Sequence, residues 1–136
     1  MGDDEKGFNN PHLEEMRAHE RVWRGLYDRA AAALEPFAQM DSFGKADYWI
    51  VEDDWGPDLL QVEVFDLRML RRDAIGALKR VLDDYPGWQI VVRVFARGGA
   101  APLPAMGLLI TDGRVVDGLK REYLPEEFWR WSYEGI

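Results

Sequence analysis

Gly107-Leu108-Leu109-Ile110-Thr111-Asp112-Gly113-Arg114-Val115-Val116 reads as two β-strands and the turn between them. Asp-Gly tolerates the positive φ angles of a two-residue type I′ turn, whose twist matches that of the strands it joins. Just upstream, Trp88-Gln89-Ile90-Val91-Val92-Arg93-Val94-Phe95 is the strongest strand in the chain, rich in β-branched and aromatic residues. Gly98-Gly99-Ala100-Ala101-Pro102-Leu103-Pro104 reads by composition as a loop between the two. Three consecutive strands therefore occupy this part of the sequence.

Further out the period changes. Leu70, Ala74, Leu78, Val81, Leu82 and Tyr85 fall on one side of a helix, with Arg71, Arg72, Lys79 and Arg80 largely on the other. Asp66 is the expected cap at its start and Pro86-Gly87 the stop at its end. Before it, Tyr48-Trp49-Ile50-Val51 and Leu60-Gln61-Val62-Glu63-Val64 flank the turn formers 53–58, a second hairpin signal. Alternation sends Leu60, Val62 and Val64 to a core and Gln61 and Glu63 to the other face. Asn10-Pro11 opens a long first helix. Leu13, Met16, Glu20, Trp23, Tyr27, Ala30, Leu34 and Phe37 repeat along it by threes and fours, and Pro36 ends it near Leu34–Glu35. Its first two turns can extend past the domain. At the other terminus, Pro125-Glu126-Glu127 starts a short aromatic helix.

The order helix, strand, strand, helix, strand, strand, strand, helix predicts an α+β fold. Its sheet is expected to be mainly antiparallel, of about five strands, with the helices packed on it. Residues 1–9 predict a flexible tail, and 10–136 one domain; 136 residues suit a single domain.

Charge is unevenly placed. Residues 1–66 carry a net −10 and residues 67–136 a net +2, within a total of −8. Residues 41–66 alone hold eight acids against Lys45, a net −7. Phosphate backbones bind through Lys/Arg clusters, so nucleic acid is not an expected partner, and anionic membrane is disfavoured likewise. A basic protein surface would be drawn to the same segment. No window approaches a membrane-spanning apolar run, and Met1–Lys6 fits neither a signal peptide nor a myristoylation site, so a cytoplasmic location is expected.

Few chemistries are open to the chain. With no cysteine, it has no disulfide, thiolate metal site or Cys nucleophile. Serine occurs only as Ser42 and Ser132, threonine only as Thr111 and histidine only as His12 and His19. Neither serine has a Gly-x-Ser-x-Gly context, and no glycine-rich phosphate loop is present. His12, Glu15 and His19 share a helix face with spacing a zinc ion tolerates, yet a solvated face is the plainer reading. No metal and no cofactor is expected.

These constraints favour a non-catalytic protein-binding module, of the inhibitor or immunity type, that turns an acidic hairpin region toward a basic partner. Glu52, Asp53, Asp54 and Asp58, with Trp55 among them, are the expected contact residues. The alternative is a small-molecule-binding protein or carboxylate-dependent enzyme. Its pocket would lie between sheet and helix, with Trp49, Glu63 and Arg93 as the ligand face. A third use, self-association as a homodimer, would employ Phe128, Trp129, Trp131 and Tyr133, residue types enriched at interfaces.

Overall fold

The structure is a computed structural model that describes residues 11–38, 48–51, 58–64, 70–95, 102–123 and 132–136. It is an α+β fold. The first helix, α1, spans Pro11–Leu34 and is followed by the 3-10 turn Glu35–Phe37. Proline at 36 has no N–H for another α-helical bond, and the chain leaves the helix there; the Ala38 N–H closes the end on the Leu34 carbonyl at 3.0 Å. Trp23, Leu26, Ala30 and Leu34 bury the inner face of α1. The predicted stripe is inward only from Trp23. Met16, earlier in it, is 56% exposed, and residues 14–18 are exposed throughout.

Strand β1 (Tyr48–Val51) and strand β2 (Leu59–Val64) pair antiparallel, with Tyr48 opposite Val64 and Val51 opposite Gln61. Helix α2 spans Arg72–Leu82. Its first-turn acid is Asp73, favourably placed at the positive end of the helix dipole. The sequence predicts Asp66 in the capping role. The N-cap position belongs to Arg71, in extended conformation and without a side-chain cap bond, and Asp66 lies outside the described residues.

Strands β3 (Gln89–Phe95), β4 (Pro102–Thr111) and β5 (Arg114–Asp117) complete a five-stranded sheet in the order β1-β2-β3-β4-β5. The sheet is mixed. β2 and β3 run parallel because α2 carries the chain back before β3 begins, whereas the other three pairings are antiparallel. Residues 102–104, expected in a loop, are the start of β4. Pro102 stands opposite Phe95 beyond a register shift, a place where a ladder tolerates a residue with no N–H to donate.

Leu60, Val62, Val64, Ile90, Val92, Val94, Leu108 and Ile110 face one side and join Trp23, Leu26, Leu34, Leu70, Ile75 and Leu78 in a single core. Both helices therefore pack on one face of the sheet. Each such aliphatic side chain removed from water contributes about 1.5–3 kcal/mol before entropy is charged against it.

Residues 132–136 are strapped to α2. Arg72 donates from both guanidinium ends, to the Ser132 main-chain oxygen at 2.6 Å and to that of Glu134 at 2.8 Å. Lys79 donates to the Ile136 main-chain oxygen at 2.7 Å. Between them Tyr133 is buried and its hydroxyl donates to the Leu70 carbonyl at 2.6 Å.

Among the described residues no helix is long and apolar enough to cross a membrane.

Candidate functional site

The register gathers acids that are far apart in the sequence. β2 and β3 begin side by side, Leu59 opposite Gln89, and Gln89 donates its N–H to the Asp58 carbonyl at 2.9 Å. Ile90 faces Ile110, so the Asp112-Gly113 turn returns to this same end. α2 ends here as well, because only the turn 83–88 separates it from β3. Asp58, Asp83, Asp84 and Asp112, all exposed, thus share one end of the sheet. Val51 and Asp58, the described neighbours of the segment holding Glu52, Asp53, Asp54 and Trp55, lie there too; those four residues fall outside the described ones.

The placement of two of these acids runs against local stability. Asp83 is the C-cap of α2 and Asp84 follows it, where the helix dipole is negative and disfavours carboxylates. Asp84 is offset by Arg29 of α1, whose guanidinium lies 2.6 Å from it. That hydrogen bond, and after it one involving Tyr85, holds the Arg29 guanidinium even more firmly protonated than usual. Asp83 and Asp112 have no ion-pair partner among the described residues. Asp112 also adopts φ 48°, with Gly113 at 73°, as a type I′ turn requires.

Trp88 is the hub of this end. It is buried, and the His19 ring stacks on it at 4.8 Å between centroids and 26° between planes. His19 Nε2 lies 3.3 Å from the Asp58 carboxylate but out of line for a hydrogen bond. One turn on, Trp23 Nε1 is buried with no acceptor, so this seam between α1 and the sheet is imperfectly satisfied. Beside Trp88 opens a cavity of about 230 Å³ lined by Lys79, Leu82, Asp83, Tyr85, Ile110 and Asp112, among others. His12 and Glu15 are exposed, and no group of three or more His, Asp or Glu among the described residues is arranged to hold a metal ion.

The second set of expected residues falls elsewhere. Trp49, Glu63 and Arg93 occupy one register row across β1, β2 and β3, Trp49 opposite Glu63 and Glu63 opposite Arg93. The row is continued on β4 by Gly107. Its Glu63 and Arg93 side chains alternate with the core residues, so they belong to the face turned away from α1 and α2. The Gln61 amide donates to Glu63 at 3.4 Å, and Gln89 donates to the Thr111 hydroxyl at 3.1 Å on that face. A ligand held by this row would lie on the face of the sheet opposite α1 and α2.

Of the four aromatics expected at an interface, Tyr133 is 5% exposed and serves the core of its own chain. Phe128, Trp129 and Trp131 lie outside the described residues. Asp83, Asp84, Asp112 and Trp88 were not legible as site residues. Each sits beside a helix stop, a turn or a strand start, and only the strand order shows that these three places coincide.

Comparison of the chain with family models, with curated proteins and with solved structures returns no match.

Proposed function

We propose that this protein is a non-catalytic binding module that presents the acidic end of its sheet to a basic protein surface. One observation supports the reading above the rest: Asp58, the adjacent pair Asp83 and Asp84, and Asp112 come from three separate segments yet share the end of the sheet where β1 stops and β2 starts. Glu52, Asp53, Asp54 and Asp58, four of the eight acids of residues 41–66, fall between β1 and β2 and carry the negative charge of this reading, because Asp83, Asp84 and Asp112 stand beside Arg29, Lys79 and Arg114. Summed fields of this kind steer an oppositely charged partner before contact and raise its association rate. Two of the carboxylates stand where a helix is destabilised by them, which fits a surface kept for recognition.

The test is retention of proteins from the source organism's extract on the immobilised chain. A basic protein should be held at low salt and released as salt rises, and Asp53→Lys with Asp54→Lys should weaken its retention. Retention by the double variant equal to that of the native chain at low salt rejects the reading.

A second reading, a small-molecule site on the outer face, is favoured by the shared row of Trp49, Glu63 and Arg93. A ligand whose binding is lost in both Glu63→Gln and Arg93→Gln, and unaffected by Asp53→Lys with Asp54→Lys, would establish it in place of the first.

A further inference from the structure

The cavity beside Trp88 has walls of a distinct chemistry. Its volume of about 230 Å³ is below the range of roughly 300–1,000 Å³ common for small-molecule and cofactor sites, and suits one inserted side chain. Trp88 and Tyr85 supply aromatic surface, and Leu82 and Ile110 supply aliphatic surface. The polar groups are Asp83, Asp112 and Lys79. The ammonium of Lys79 is engaged by the Ile136 main-chain oxygen at 2.7 Å, whereas the two carboxylates have no described ionic partner. His19 stacks on Trp88 and the Arg29 guanidinium lies over Tyr85, so the rings serve here as apolar wall. Unpaired carboxylates above such a wall favour a cation with an apolar stem: the carboxylates accept its N–H groups, and the aromatic and aliphatic walls cover the methylenes.

We propose that this cavity is an anchor site for one arginine or lysine side chain of a basic partner, a proposal that rests on the binding reading above and gives it a point of insertion. Recognition then has two parts. The acids at the end of the sheet supply long-range attraction, and the cavity supplies the desolvated contact in which interfaces concentrate their affinity.

The experiment is a titration of the intact ¹⁵N-labelled chain with N-acetyl-arginine amide and N-acetyl-lysine amide. The neutral isostere N-acetyl-citrulline amide and inorganic phosphate serve as controls. The expected result is a saturable shift of the Trp88 indole N–H and of the Gly87 and Gly113 amides with the cationic probes only. Asp83→Asn combined with Asp112→Asn should weaken that binding at least about tenfold, two charge-assisted bonds being lost. Both substitutions are at exposed positions, and circular dichroism confirms the fold, whereas replacement of the buried Trp88 would not separate binding from folding. Equal shifts with citrulline, shifts with phosphate alone, or no saturable shift with either cation would overturn the proposal. Probe binding with no salt-sensitive protein capture sinks the partner reading alone; capture with no probe binding sinks the cavity alone.

Discussion

Tyr133 shows how one hydroxyl ties a terminal segment to the core. Its ring is buried and its O–H is spent on the Leu70 carbonyl, itself beside a residue 1% exposed. Tyr133→Phe keeps the ring and strands that carbonyl, so unfolding in denaturant should show a loss of about 1–3 kcal/mol. Burial, and after it the charge of Asp117, pushes the phenol well above its ordinary value of 10.0, with Arg121 opposing. A raised folded-state value means stability is fully present below pH 10 and declines above it, as the unfolded phenol ionises while the folded one stays protonated. Tyr133→Phe should remove that part of the alkaline loss, read as denaturation midpoints from pH 8 to about 11. None of this was legible in the sequence. An aromatic cluster at residues 123–133 suits core and interface alike, and only the contact with Leu70, more than sixty positions earlier, decides for Tyr133.

Among the elements, the β3–β4 pairing leaves no room for a side chain at Gly107. A methyl group on Gly107 would lie 2.5 Å from the Val92 carbonyl oxygen, on backbone that cannot swing aside. Gly107→Ala should therefore cost about 1–3 kcal/mol, the range for overpacking, measured by thermal or denaturant unfolding. Gly113 is a different case. Nothing lies within 4 Å of its missing methyl, but its φ of 73° belongs to the left-handed region, so alanine there is strained without any clash. The turn at Asp112-Gly113 was legible because it depends on two adjacent residues. So were the long first helix, which a proline ends, and the inward alternation of Leu60, Val62 and Val64. Parallel pairing of β2 with β3 was not, since both strands have the same period whichever way they run. The start of α2 was missed for a related reason: an acid five residues upstream looks like a cap until the first hydrogen-bonded turn fixes Arg71 in that position.

For the whole molecule, a net charge of −8 is distributed so that acids from several segments meet at one end of the sheet. Like charges held close oppose compaction, and salt screens exposed ones beyond roughly 10 Å at 0.1 M. The melting temperature should consequently rise as sodium chloride is raised from low to physiological concentration. A fall would mean that pairs such as Arg29 with Asp84 outweigh the repulsion. Asp83→Asn, which relieves a carboxylate at the wrong end of a helix, should lessen that salt dependence. How charge was divided along the chain could be read in advance; its convergence in space could not, because it follows from the order of strands.

The clasp on residues 132–136 has its own corollary. Arg72 and Lys79 grasp carbonyl oxygens, which every amino acid possesses, so this attachment reads the path of the chain and ignores the identity of what hangs from it. Glu134, which is exposed, is thereby free to drift, or to be diversified by an engineer, while Tyr133, the two cations of α2 and the Ser132 hydroxyl, which accepts the Glu134 N–H at 3.3 Å, hold the tether in place.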